Sequence, residues 1–339
     1  MLPRSIIRAG LAALALTSAA MAQTVTLSGA GGTFIYPLAS KWFHEYNLLH
    51  PQIQINYQSI GSGGGIRQFS LERTVDFGET DGPMSDQQLN EAKIKPIHHF
   101  PLALGGVVPI YNLPAVTSLR FSGETLANIF LGKVVMWNDP AVAKDNPGVK
   151  LPADPITVVH RADGSGTTYT WVDFLSKVDG EFRKKIGVGT SVTWPVGLGG
   201  KGNEGVAGMV RQTPGSIGYV ELIYALQNKI AHAPVKNAAG EYANASLDSV
   251  SAAAATAKIP TDYRVSITNA PGKGVYPVST FTWILVSPGM PDSGKKKALH
   301  DFLIWAVTKG QGYSKDLGYA PLPRSVVQLE LKDLDKNFK

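Results

Sequence analysis

Apolar and polar positions along the chain follow two periods that take turns. Residues 25–28, 53–58, 75–78, 106–111 and 280–286 are short runs with the β-branched and apolar character of strands. Between them the apolar residues recur at helical spacing. Leu38, Trp42, Phe43 and Tyr46 form one stripe, Ile66 and Phe69 a shorter one, and Trp171, Phe174, Leu175 and Val178 a third at i, i+3, i+4 and i+7. Strand followed by helix, repeated, predicts an α/β fold. Two later stretches carry less: 246–258 is alanine-rich and reads as a surface helix, and 309–319 reads as a glycine-punctuated loop.

The turns between these elements hold the candidate chemistry. The first strand runs into Gly29-Ala-Gly-Gly-Thr-Phe34, the second into Gly61-Ser-Gly-Gly-Gly65, and the third ends at Glu79-Thr80-Asp81. Ahead of the third helical stripe stands Arg161-Ala-Asp-Gly-Ser-Gly-Thr-Thr168. Ser165, Gly166 and Thr167 then fall at a helix N-terminus, where unpaired N–H groups and the helix dipole favour an anion. Arg161 adds a planar fork of donors that suits a tetrahedral oxyanion. Taken alone, that stretch reads as a capped helix with a nearby ion pair. Three hydroxyl-and-glycine turns, with an Asp at a strand end and an Arg, read as convergence on one small anion, because α/β sheets gather their ligands at the carboxyl ends of strands.

Composition sets the address. Met-Leu-Pro-Arg-Ser-Ile-Ile-Arg, an apolar run over 9–15 and Ala20-Met21-Ala22 make a secretory signal peptide, with cleavage expected after Ala22 and a periplasmic destination. No later segment reaches the roughly 18 apolar residues of a membrane span. With no cysteine there is neither a disulfide framework nor a lipid-attachment thiol. The formal charge of +6 falls by two when Arg4 and Arg8 leave with the signal, a mildly basic balance without the Lys/Arg blocks of a nucleic-acid binder. The length exceeds one typical core, which favours two domains, and 44% hydrophobic with 17% charged residues fits a well-packed globular chain.

Rival motifs are weak. Gly197-Leu-Gly-Gly-Lys-Gly202 fits the dinucleotide pattern G-x-G-x-x-G, but Glu221 lies beyond another turn, so a packed glycine loop is the better reading. Ser165 does not sit in G-x-S-x-G, since position 163 is Asp. The seven histidines form no metal-ligand spacing, and His160, beside Arg161, reads as a structural residue at a strand end.

With these residues laid out, the chain resembles the family of periplasmic phosphate-binding proteins of high-affinity phosphate ABC transporters, over nearly everything beyond the signal. The resemblance is carried by the turns quoted above, by Val75-Asp-Phe-Gly-Glu-Thr-Asp-Gly-Pro83, by Trp194-Pro-Val-Gly-Leu-Gly-Gly-Lys-Gly-Asn203 and by Pro214-Gly-Ser-Ile-Gly-Tyr-Val-Glu221. It implies a type II solute-binding fold of two α/β lobes with a hinge and an interdomain cleft. Lobe I would comprise 23–105 and 277–339, and lobe II 106–276. It also implies the phosphate ligands: the hydroxyl of Thr33, the N–H of Phe34, Ser62, Asp81, Arg161, Ser165, Gly166 and Thr167, with Asp163 holding Arg161. No enzyme activity, cofactor, metal or nucleic acid belongs to this reading. Its partners are inorganic phosphate and the permease subunits of a membrane transporter, served by a monomer. The alternatives are a binder of another tetrahedral oxyanion and a phosphatase related to the family. Two positions depart from the family pattern: Gly32 stands before Thr33 where Ala is frequent, and Glu79-Thr80 stands where Ala-Ser is familiar. Glu79 would place negative charge near an anion and is expected to point away or to be paired.

Overall fold

The computed structural model describes residues 24–114, 116 and 118–338. The signal peptide expected over 1–22, and its cleavage point, lie outside these residues. Among the described residues eleven strands follow in chain order: β1 (Val25–Gly31), β2 (Ile53–Ser59), β3 (Phe77–Thr80), β4 (His98–Asn112), β5 (Thr157–Arg161), β6 (Leu198–Gly200), β7 (Ser216–Glu221), β8 (Ala231–His232), β9 (Val235–Lys236), β10 (Tyr242–Ala243) and β11 (Ser279–Val286). Nine of them form one sheet in the order β2-β1-β3-β11-β4-β7-β5-β6, with β8 attached to β4.

The sheet changes partners along β4. From His98 to Gly106 that strand pairs antiparallel with β11, and from Val107 to Asn112 it pairs with β7. On one side lie the parallel pairs β1–β2 and β1–β3; on the other lie β5–β6 and β5–β7. Each side therefore has its own set of parallel strands, and the strand ends that carry the candidate residues belong to both. β11 and most of β4 are buried along their whole length, as expected of strands covered on both faces.

The helices form where the stripes predict them. Tyr36–Leu49 has Pro37 in its first turn, where a missing N–H costs nothing, and buries Leu38, Trp42, Phe43 and Tyr46. Gly166–Val178 starts from Ser165, whose side chain accepts from the N–H of Thr168, and buries Trp171, Phe174 and Leu175. One large core runs through the chain, with Trp42, Trp137, Trp171 and Trp283 among its largest fully buried side chains, and a small separate cluster gathers Ile66, Phe69, Met84 and Leu285.

Some expectations need revision. The strand read at 75–78 begins at Phe77, and the run at 106–111 is only the second half of β4, which starts at His98. Pro101 and the Gly105-Gly106 pair hide its first half in the sequence, yet β11 supplies the partner that keeps it extended. The loop expected over 309–319 is wound into 3-10 turns at Lys309–Tyr313 and Lys315–Leu317, fastened where the Trp42 indole donates to the carbonyl of Gly310 at 2.7 Å. Over 246–258 the helix is Leu247–Ala255, and it rests on the core through Val250, Ala253 and Ala254.

Candidate functional site

Four strand ends meet at one buried point. β1 delivers Thr33 and Phe34, β2 delivers Ser62, β3 delivers Asp81, and β5 delivers Arg161 with the turn to Ser165, Gly166 and Thr167. Thr33, Phe34, Ser62, Asp81, Arg161, Ser165 and Thr167 are each at most 4% exposed. Their enclosure depends on glycine. A Cβ on Gly166 would lie 2.6 Å from the backbone N of Asp81 and 2.6 Å from Ser62 Oγ, so only glycine lets the two walls approach this closely. Gly61 turns the chain at φ 86°, a left-handed value that L side chains rarely adopt, and so aims Ser62 inwards. The walls also bond directly, through the N–H of Gly63 donating to the carbonyl of Gly164 at 2.8 Å.

Hydroxyls and helix-end amides supply most of the donors. The N–H groups of Gly166 and Thr167 find no acceptor among the described residues, as the first turn of a helix leaves them, and neither does that of Phe34, just ahead of the helix Tyr36–Leu49. Ser165 Oγ accepts from the N–H of Thr168, which leaves its own proton free. The carbonyls behind this wall are occupied: Tyr224 donates its phenol to Thr33 O at 2.6 Å, Tyr319 to Phe34 O at 2.6 Å and Tyr57 to Gly32 O at 3.0 Å. Those tyrosines are tied off as donors and hold the first turn in place.

Arg161 brings the fixed positive charge, and it is held as expected. Its Nε donates to Asp163 Oδ1 at 2.8 Å and its terminal nitrogen to Asp163 Oδ2 at 2.5 Å, a fork-to-carboxylate pair. Burial pushes the Asp163 carboxyl up, but the hydrogen bonds and charge of Arg161 outweigh it and bring it below the usual carboxylate range. The N–H of Gly202 adds a contact to Asp163 Oδ1 at 3.0 Å. The run 197–202 is not the packed loop expected of it: Leu198–Gly200 is the edge strand β6, Gly197, Leu198, Gly199 and Lys201 are exposed, and Gly202 alone reaches the arginine's partner. His160 stays out of the site, its ring stacked on Trp194 at 5.3 Å.

Asp81 is the acceptor in this wall of donors. Thr282 Oγ1 donates to its Oδ1 at 2.9 Å and Ser62 Oγ to its Oδ2 at 3.3 Å, while its own N–H reaches Ser62 Oγ at 3.2 Å. Burial raises its pKa to about 6, partly offset by the Thr282 bond, the Arg161 charge and the Ser62 bond. Near neutral pH it is mostly a carboxylate able to take a proton.

Glu79 is buried, at 1% exposed, with no cation paired to it among the described residues and no partner there for its Oε2. Burial lifts its pKa to about 8, so near neutral pH it is mostly protonated and adds little charge to the site.

Two residues at the site escaped the sequence reading. Thr282 sits in an apolar strand run, where a threonine reads as a β-former, and Asn203 follows a glycine at a helix start, where it reads as a cap. Asn203 Nδ2 reaches Thr33 Oγ1 at 2.8 Å and Thr167 Oγ1 at 3.2 Å. Among the described residues no group of three or more His, Cys, Asp or Glu could hold a metal ion, and no helix is long and apolar enough to cross a membrane.

Residues 17–309 match the model of the PBP superfamily domain. The chain is 47% identical over 315 residues to the phosphate-binding protein PstS of Xylella fastidiosa (strain Temecula1), covering 92% of this chain and 85% of that protein. It is 45% identical over 322 residues to the phosphate-binding protein PstS of Pasteurella multocida, covering 94% of this chain and 92% of that one. Among solved structures, the phosphate-binding protein from Stenotrophomonas maltophilia superposes with a TM-score of 0.71 at 18% identity, covering 90% of this chain and 92% of that one, a likeness of fold.

Proposed function

The chain belongs to the PstS family of phosphate-binding proteins within the PBP superfamily, and from that premise we propose that it captures inorganic phosphate and passes it to a membrane ABC transporter for import. The observation that carries this reading is the buried convergence of Thr33, Phe34, Ser62 and Asp81 on one side with Arg161, Ser165, Gly166 and Thr167 on the other. Hydroxyls and helix-end N–H groups donate to the phosphate oxygens, Arg161 supplies the fixed charge, and Asp163 keeps the guanidinium aimed. A buried anion is tolerated only when its oxygens are satisfied, and this set has donors enough to do that.

Asp81 sets the selectivity. A carboxylate beside a dianion is repulsive unless a proton lies between them. Phosphate near neutral pH keeps a P–OH that Asp81 accepts, whereas sulfate has none and would face bare oxygen. Sites built round such a bond reject the analogue that lacks it by roughly 10⁴-fold or more.

The lobes of this reading are lobe I, formed by 23–105 and 277–339, and lobe II, formed by 106–276, with their boundary one residue before β4 changes partners. Capture is a closing of the lobes about that crossing. The protein works as a monomer in the periplasm, delivered there by its signal peptide, and hands phosphate to permease subunits. The relatives are named for binding and not for turnover. Ser165 Oγ has no basic side chain in hydrogen-bond contact among the described residues to activate it as a nucleophile. Equilibrium dialysis of the purified protein against labelled phosphate tests the proposal. Retention of one phosphate per chain supports it, and no retention above that of an unrelated protein overturns it.

A further inference from the structure

We propose that Asn203 is a positioning residue that fixes the hydroxyls of Thr33 and Thr167 as obligate proton donors towards the bound anion; this rests on the phosphate-binding reading above. The argument starts from the amide's orientation. The backbone N–H of Glu221 donates to one terminal atom of the Asn203 side chain at 2.9 Å. An N–H can only donate, so that atom must be the amide oxygen, and the atom facing the site must be the NH₂ group. That group reaches Thr33 Oγ1 at 2.8 Å and Thr167 Oγ1 at 3.2 Å.

Each hydroxyl oxygen has two acceptor positions and one proton. Thr33 Oγ1 also accepts from the backbone N–H of Asn203 at 3.2 Å, and Thr167 Oγ1 also accepts from an Arg161 terminal nitrogen at 3.2 Å. Both acceptor positions of both oxygens are then filled. Neither hydroxyl donates to another described residue, so the single group each has left is its O–H. Free hydroxyls can turn either way and would accept a P–OH as readily as donate to P–O⁻. Locked ones accept nothing, which leaves Asp81 as the acceptor for the ligand's proton. Asn203 is fully buried, and it spans the two walls, since Thr33 follows β1 and Thr167 lies in the helix that follows β5. It thus acts on affinity without touching the anion.

Calorimetric titration of inorganic phosphate tests this on the wild-type chain, Asn203→Ala, Asn203→Asp, Thr33→Val and Asn203→Ala combined with Thr33→Val. The melting temperature of each is measured without phosphate. Asn203→Ala should weaken phosphate binding about tenfold, the scale of one or two lost neutral hydrogen bonds. Asn203→Asp, the same shape but an acceptor, should weaken it by at least about tenfold more, because it takes the two hydroxyl protons for itself. The combined variant should bind more tightly than the product of its two singles predicts, since the orientation of the Thr33 hydroxyl cannot be lost twice, while the part of the Asn203 effect that runs through Thr167 persists. Effects that multiply independently, or an alanine variant within about twofold of wild type, overturn the proposal. Should the alanine variant not fold, an Asn203→Asp variant binding phosphate within about threefold of wild type overturns it. Failure of the wild-type chain itself to bind phosphate would instead strike the underlying reading.

Discussion

At the scale of single residues the site is a wall of donors with one acceptor, and the carboxylates divide its labour. Asp163 spends its charge on Arg161, Asp81 is the carboxylate proposed to take the ligand's proton, and Glu79 is buried with its pKa raised to about 8. Asp81→Asn should narrow the gap between phosphate and sulfate affinity, because an amide can donate where a carboxylate cannot; an unchanged ratio would remove Asp81 from the account. Glu79 leads to a pH effect. Its folded pKa lies above the ordinary 4.5, so its contribution to stability is complete below about pH 4.5 and is lost as pH rises through about 8. The phosphate-free protein should therefore melt lower as pH climbs across that window, at up to about 1.4 kcal/mol per unit for this one group. Glu79→Gln should flatten the decline measured by calorimetric melting, and an identical slope in the variant would contradict the buried, protonated state. Thr33, Asp81 and Arg161 were legible in the sequence because hydroxyl, glycine and charge coincide at strand ends. Asn203 and Thr282 were not, because each also fits a local role, as helix cap or strand former, and only the sheet brings them to the other residues. For Glu79 the sequence shows a charge beside the site, while its neutralisation depends on burial, which no local pattern reports.

Among the elements, the short apolar strands and the Trp-bearing helices were legible because their periods differ by nearly a factor of two. β4 was only half legible, since a proline and two glycines interrupt its pattern and the pairing that rescues it comes from β11, far along the chain. The 3-10 turns after the helix Ser293–Val307 were hidden for a similar reason, being secured by Trp42 from the opposite end of the sequence. The start of the helix Gly166–Val178 is where local structure meets the site most tightly. Gly166→Ala puts a methyl group 2.6 Å from Asp81 N and Ser62 Oγ, which drives the β5 turn away from the β2 and β3 turns. Phosphate affinity should fall by at least about tenfold, as misplaced donors forfeit more than one charge-assisted bond. Titration within twofold of wild type would mean that the walls need not approach so closely.

Over the whole molecule, one sheet carries two sets of parallel strands joined through β4 and β11, and the candidate residues lie at the carboxyl ends of both sets. Neither set holds a complete cage. Thr33, Ser62 and Asp81 lack a cation, and Arg161 with its helix-end donors lacks a proton acceptor free of a partner, so the proposed phosphate site requires both sides together. The most direct measurement is a calorimetric titration of the wild-type protein with phosphate and, in parallel, with sulfate near neutral pH. The account predicts one saturable phosphate site per chain and sulfate bound at least roughly 10⁴-fold more weakly. Sulfate binding of comparable strength, or no saturable phosphate site, would contradict it.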